Sequence, residues 1–128
     1  MSYYFSKTIH DSYENILERV RVSLKGEGFG VLTEIDVKET LKKKLEVDFQ
    51  KYRILGACNP PFAYKALMAE NKIGTMLPCN VIVQEISEGQ VEVAAVDPVA
   101  SMKAIDNPAL LEIANQVQEK LKKVVMNL

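Results

Sequence analysis

Met76-Leu-Pro-Cys-Asn-Val-Ile-Val-Gln-Glu-Ile86, Ser87-Glu-Gly-Gln90 and Val91-Glu-Val-Ala-Ala-Val96 follow one another without a break. Two runs rich in β-branched residues flank a short turn containing glycine, which is the pattern of a β-hairpin. The first run is the longest strand signal in the chain. A hairpin is antiparallel by construction. The strand and helix signals upstream alternate and, taken alone, would suit a parallel sheet. The hairpin decides for an α+β class with a mixed or mostly antiparallel sheet.

Moving back from the hairpin, Tyr52 to Cys58 reads as a strand, and Asn59-Pro60-Pro61 opens a helix carrying Phe62, Leu67 and Met68. Before that, Asp36 and Glu39 form a capping box for a short helix with Val37, Leu41 and Leu45 on its apolar side. Phe29 to Ile35 reads as another strand. Gly26 and Gly28 stop the preceding helix, which Asp11 and Glu14 open and which carries Tyr13, Ile16, Leu17, Val20 and Leu24. Residues 3–9, aromatic and β-branched, make the first strand. Moving forward, Asp97-Pro98 begins a helical turn through Lys103, and Asn107-Pro108 opens a helix that runs to the C-terminus. The expected order is β-α-β-α-β-α-β-β-α-α. In the last helix Leu110, Ala114, Val117, Leu121, Val124 and Leu128 make a heptad-spaced seam. Leu111, Ile113 and Val125 widen it, which favours a helix lying across the sheet over a coiled coil.

A length of 128 residues fits one domain spanning 1–128 and buries roughly two-thirds of the unfolded surface, enough to fold without metal or disulfide. Hydrophobic residues at 48% and charged residues at 26% exclude a disordered or collagen-like chain. A net charge of −1 is no footprint for nucleic acid. Two cysteines cannot staple a disulfide-dense secreted scaffold. The start, Met1-Ser-Tyr-Tyr-Phe-Ser-Lys-Thr-Ile, lacks a basic region, a long apolar region and a cleavage site. No run of 18 apolar residues exists to span a membrane. The expectation is a soluble, cytoplasmic domain with no cofactor, nucleic-acid or membrane partner.

Several weak motifs have plain explanations. Gly26-Glu-Gly-Phe-Gly30 follows a helix and opens a strand, the reverse of a dinucleotide loop, and reads as a helix stop. Lys42-Lys43-Lys44, like Lys120, Lys122 and Lys123, falls between apolar helix positions and reads as a solvated face. His10 is the single histidine, so no histidine-based metal site exists, and no nucleophile elbow accompanies it.

Cys58 and Cys79 each precede an asparagine beside prolines, in Cys58-Asn-Pro-Pro61 and Pro78-Cys-Asn80. If their strands are antiparallel neighbours, both thiols lie at one edge of the sheet, where the hairpin also returns Asp97. By alternation Cys58 shares a face with Tyr52 and Ile54, and Cys79 with Leu77, Val81 and Val83. Asn59, Asp97 and Asn107 precede proline, so each reads as a helix cap worth about 1 kcal/mol. The cysteines also read as buried packing residues. Asn80 fits neither explanation, because no proline follows it and asparagine is depleted within strands.

The runs Leu32-Thr-Glu-Ile-Asp-Val37, Tyr52-Arg-Ile-Leu-Gly-Ala-Cys-Asn-Pro-Pro61 and Leu77-Pro-Cys-Asn-Val-Ile-Val83, with Val96-Asp-Pro98, resemble the domain-of-unknown-function 302 (DUF302) family over nearly the whole chain. The resemblance implies a TATA-binding-protein-like, mostly antiparallel sheet with helices on one face, and a homodimer. It implies no activity. The residues themselves carry three readings. The first is a non-enzymatic binding module with a small polar or anionic ligand held by Cys58, Asn59, Cys79, Asn80 and Asp97. The second is a thiol enzyme or redox sensor using Cys58, with Asp97 or His10 as base. The third is a protein-interaction module without a small ligand.

Overall fold

The computed structural model describes residues 2–128, so Met1 of the N-terminal stretch quoted above lies outside the described residues. Its strands are β1 (Tyr4–His10), β2 (Gly30–Asp36), β3 (Tyr52–Cys58), β4 (Cys79–Ser87) and β5 (Gln90–Val96). The helices are α1 (Tyr13–Gly26), α2 (Val37–Leu45), α3 (Pro60–Ala69), α4 (Pro98–Ser101) and α5 (Pro108–Met126). The five strands form one sheet in the order β1-β5-β4-β3-β2, with every neighbouring pair antiparallel. The hairpin is therefore the seed of the whole sheet. Gly89 takes φ +75° at its turn, a conformation open to glycine without strain.

Alternation along the two hairpin strands sets the layers. Val81, Val83, Val91, Val93 and Ala95 are buried on one face. There they meet Ile16, Val20 and Leu24 of α1 and Val117, Leu121 and Val124 of α5. Each of the valines, leucines and the isoleucine among them contributes about 1.5–3 kcal/mol by leaving water. Helix α1 carries the chain from the β1 edge to the β2 edge, and α5 packs beside it against β1 and β5. The α5 seam lies on the sheet and buries Leu110, Ala114, Val117, Leu121, Val124 and Val125. Leu111 stays exposed, so Ile113 on one flank of the seam and Val125 on the other do the widening.

Local signals place most boundaries, with four differences. Ser12, not Asp11, caps α1 by accepting from the Asn15 amide, while Asp11 accepts from Ser12 and from the Asn15 side chain. Residues 73–76 form a 3-10 turn, so β4 starts at Cys79 rather than Met76. The helical turn after Asp97 closes at Ser101, short of Lys103. Helix α2 is capped by Asp36 as expected but buries no residue, and Leu45 is exposed. It joins β2 to β3 at the sheet margin, where there is no second layer to cover its apolar side.

Candidate functional site

Antiparallel pairing brings the end of β3, the start of β4 and the end of β5 to one end of the sheet. Ala57 pairs with Cys79 and Val81 with Ala95. Each of these strand ends turns into or out of a helical segment: Asn59-Pro60-Pro61 starts α3, the 3-10 turn and a cis Leu77–Pro78 peptide lead into β4, and Asp97-Pro98 starts α4. Between this sheet end, α3 and α5 lies a cavity of about 300 Å³. Its walls are Phe62, Ala63, Ala66 and Leu67 from α3, Ile113, Ala114 and Val117 from α5, with Leu77, Pro98 and Met102 around them. Cys58, Asn59 and Cys79 line it at the strand ends.

The five candidate residues divide. Cys58, Asn59 and Cys79 border the cavity, whereas Asp97 and Asn80 do not. Asp97 caps α4, accepting from the Val99 and Ala100 amides at 2.9 and 3.4 Å, and also accepts from Gln118 Nε2 at 3.0 Å. Asn80 stands opposite Gly56, one residue past Cys79, and is exposed on the sheet face without helices. It lines a shallow groove there with Tyr3, Tyr52, Gln84 and Glu92. Water reaches its amide, so a central strand tolerates the asparagine. Cys79 pairs with Ala57, one residue before Cys58 at the strand end; both cysteines border the cavity, close enough for Cys58 to act on the Cys79 thiol, and both are free.

Asn59 departs from the capping role assigned to it. It occupies the N-cap position of α3 but makes no side-chain cap hydrogen bond. Pro61 removes one of the two amide donors a cap would use, leaving only that of Phe62. Its Nδ2 instead donates to the Glu27 carbonyl at 3.2 Å and so holds the α1–β2 turn, where Gly28 adopts φ +87°. No local sequence pattern could reveal that partner, 32 positions away. Asn107 does cap its helix, accepting from the Ala109 and Leu110 amides, and its Nδ2 also donates to the Ala69 carbonyl at the end of α3.

The chemistry of the cavity is apolar. Its wall comes from the apolar stripes of α3 and α5, and no charged side chain lines it. The sequence signal was present in the spacing of Phe62, Ala63, Ala66 and Leu67, which places all four on one side of α3; Met68, read with them, is exposed instead. Burial pushes the Cys79 thiol up to about 11, with a smaller push from nearby Cys58, so Cys79 is a protonated wall residue at neutral pH. His10 pairs with Gln90 at the far end of the sheet and cannot serve Cys58 as a base. Among the described residues no three His, Cys, Asp or Glu side chains group as metal ligands. Among them also, no helix is long and apolar enough to cross a membrane.

The protein is similar in structure to an uncharacterized conserved DUF302 protein from Bacillus stearothermophilus, with a TM-score of 0.90 and 30% sequence identity over 98% of each chain. No curated protein matches it. The family described as "Domain of unknown function DUF302" matches residues 5–128. With that match and the shared five-stranded antiparallel sheet, the chain belongs to the DUF302 family.

Proposed function

We propose that this protein is a binding module for a small, mostly apolar molecule held in the cavity between α3, α5 and the Cys58–Cys79 end of the sheet. One observation carries the reading. Small-molecule sites are concave and mostly apolar, and here an open cleft of about 300 Å³ is walled by apolar side chains with no charged group among the described residues. That is about twice the ~150 Å³ engineered cavity that holds benzene, and at the small end of natural ligand pockets. The test is a thermal-shift and calorimetric screen with toluene, indole and p-cresol. Saturable binding that broadens or shifts amide signals of α3 and α5 supports the reading; the absence of binding by every probe sinks it.

A thiol enzyme using Cys58 is the weaker reading, because Asp97 is committed to α4 and Gln118 and His10 lies at the far end of the sheet. A homodimer formed through the uncovered sheet face is supported by the exposure of Tyr4, Ile35 and Ile86 there. Analytical ultracentrifugation checks it: a species of twice 14.4 kDa is expected, and a monomer at all concentrations refutes it. A reducing, cytoplasmic setting suits two unbridged cysteines.

A further inference from the structure

Of the groups around the cavity, Asn59 is the one whose polarity is unexplained by packing. Its residue surface is 8% exposed, the single buried polar or charged residue among the described residues. The Glu27 carbonyl can only accept, so it fixes the amide with Nδ2 toward the α1–β2 turn. A Cβ placed on Gly28 would lie 3.2 Å from Nδ2 and 4.0 Å from Oδ1, which agrees with that orientation. The Oδ1 atom accepts no cap hydrogen bond: Pro61 lacks one of the two amides a cap uses, and the side chain is turned to the Glu27 carbonyl rather than to the other, Phe62 N–H. Asn59, at the wall of an apolar cavity, therefore carries a carbonyl oxygen that takes no hydrogen bond from the fold and stays open to solvent.

We propose that Asn59 sets the specificity of the cavity: its Oδ1 receives the hydroxyl of an uncharged, otherwise apolar ligand of the phenol or small-alcohol class. This rests on the binding reading above and adds the polar group that the ligand must carry. A hydroxyl satisfies Oδ1, whereas a methyl group in its place leaves the acceptor dry and unpaired. A carboxylate or ammonium group finds no counter-charge in a wall built from Phe62, Ala66, Ile113 and Ala114.

The experiment compares p-cresol, p-xylene, 4-methylanisole and p-toluate by calorimetry on the unaltered protein. The xylene replaces the hydroxyl by an isosteric methyl, the anisole keeps the oxygen but removes its proton, and the toluate adds a charge. Tightest binding is expected for p-cresol, by about tenfold over p-xylene and 4-methylanisole, with no binding of p-toluate. Equal affinity for the three neutral probes, or a preference for p-toluate, overturns the role of Asn59 and leaves the cavity as an apolar site. Failure of all four overturns the cavity reading itself. In Asn59→Leu the p-cresol preference should vanish. Because that variant also loses the Glu27 contact, the ligand series on the unaltered protein decides the matter if it does not fold.

Discussion

Raising the pH should loosen this fold through Cys79, and the size of the effect follows from its surroundings. In the unfolded chain the thiol titrates near its ordinary value of 9.0; in the folded protein burial moves it to about 11. The folded state thus holds its proton where the unfolded state has released it. The associated stability is present in full below pH 9 and is lost as pH rises from 9 through 11. At ~1.4 kcal/mol for each tenfold change in proton affinity, the full loss, complete only above pH 11, is about 3 kcal/mol. That is a large share of the 5–15 kcal/mol typical of a domain. Burial also raises Tyr13, and it raises Tyr52, so the total curve falls for more than one reason. Urea unfolding of the native chain and of Cys79→Ala at pH 7, 8, 9, 10 and 11 separates them, since both tyrosines remain in the variant. The difference between the two curves should be nearly constant up to about pH 9 and have shrunk by about 2 kcal/mol at pH 11. A difference that stays flat to pH 11 would show that Cys79 is not shielded from water and would refute the burial argument.

Three further substitutions probe the same end of the sheet. Asn80→Ala should change stability by no more than about 0.5 kcal/mol in urea, because the side chain stands in water; a loss above 1 kcal/mol contradicts this. Ala114→Leu adds a branched side chain to the cavity wall and should gain about 0.5–2 kcal/mol while weakening p-cresol binding, and unchanged binding would mean that the probe sits elsewhere. Gly56→Ala would drive a Cβ into Thr33 Oγ1 and to 2.8 Å from Pro78 Cγ, costing about 1–3 kcal/mol. Thr33→Ala in the same chain should recover part of that loss, and no recovery in a double-mutant cycle would remove Thr33 as the cause.

Read from residues alone, the chain already contained the ten-element order, because each boundary is signalled within a few residues. Asp36 before Val37, Asn107 before Pro108, glycines at 28 and 89, and two-residue alternation through Val81–Val83 and Val91–Val93 are all local. The antiparallel class followed from the single hairpin, since two strands joined by so short a turn can pair in only one direction. Placement of Cys58, Cys79 and Asp97 at one end of the sheet followed from the same logic. The facing of Asn80 did not, because alternation says which residues share a side and not which side the helices cover. Only the packing of α1 and α5 on the Val81 face decided that Asn80 looks into water. Helix α2 shows the same limit: its apolar spacing is sound, but burial depends on a neighbouring layer that the sheet margin does not provide. Asn59 is the clearest case. Its position before two prolines reads locally as a cap, while its hydrogen bond reaches Glu27 across the fold, and the residue borders a cavity that exists only where α3 and α5 fail to close over the strand ends. Backbone propensity acts between neighbours in sequence, whereas the site is made of surfaces brought together from five separate segments, and their mutual distance is a property of the packed chain alone.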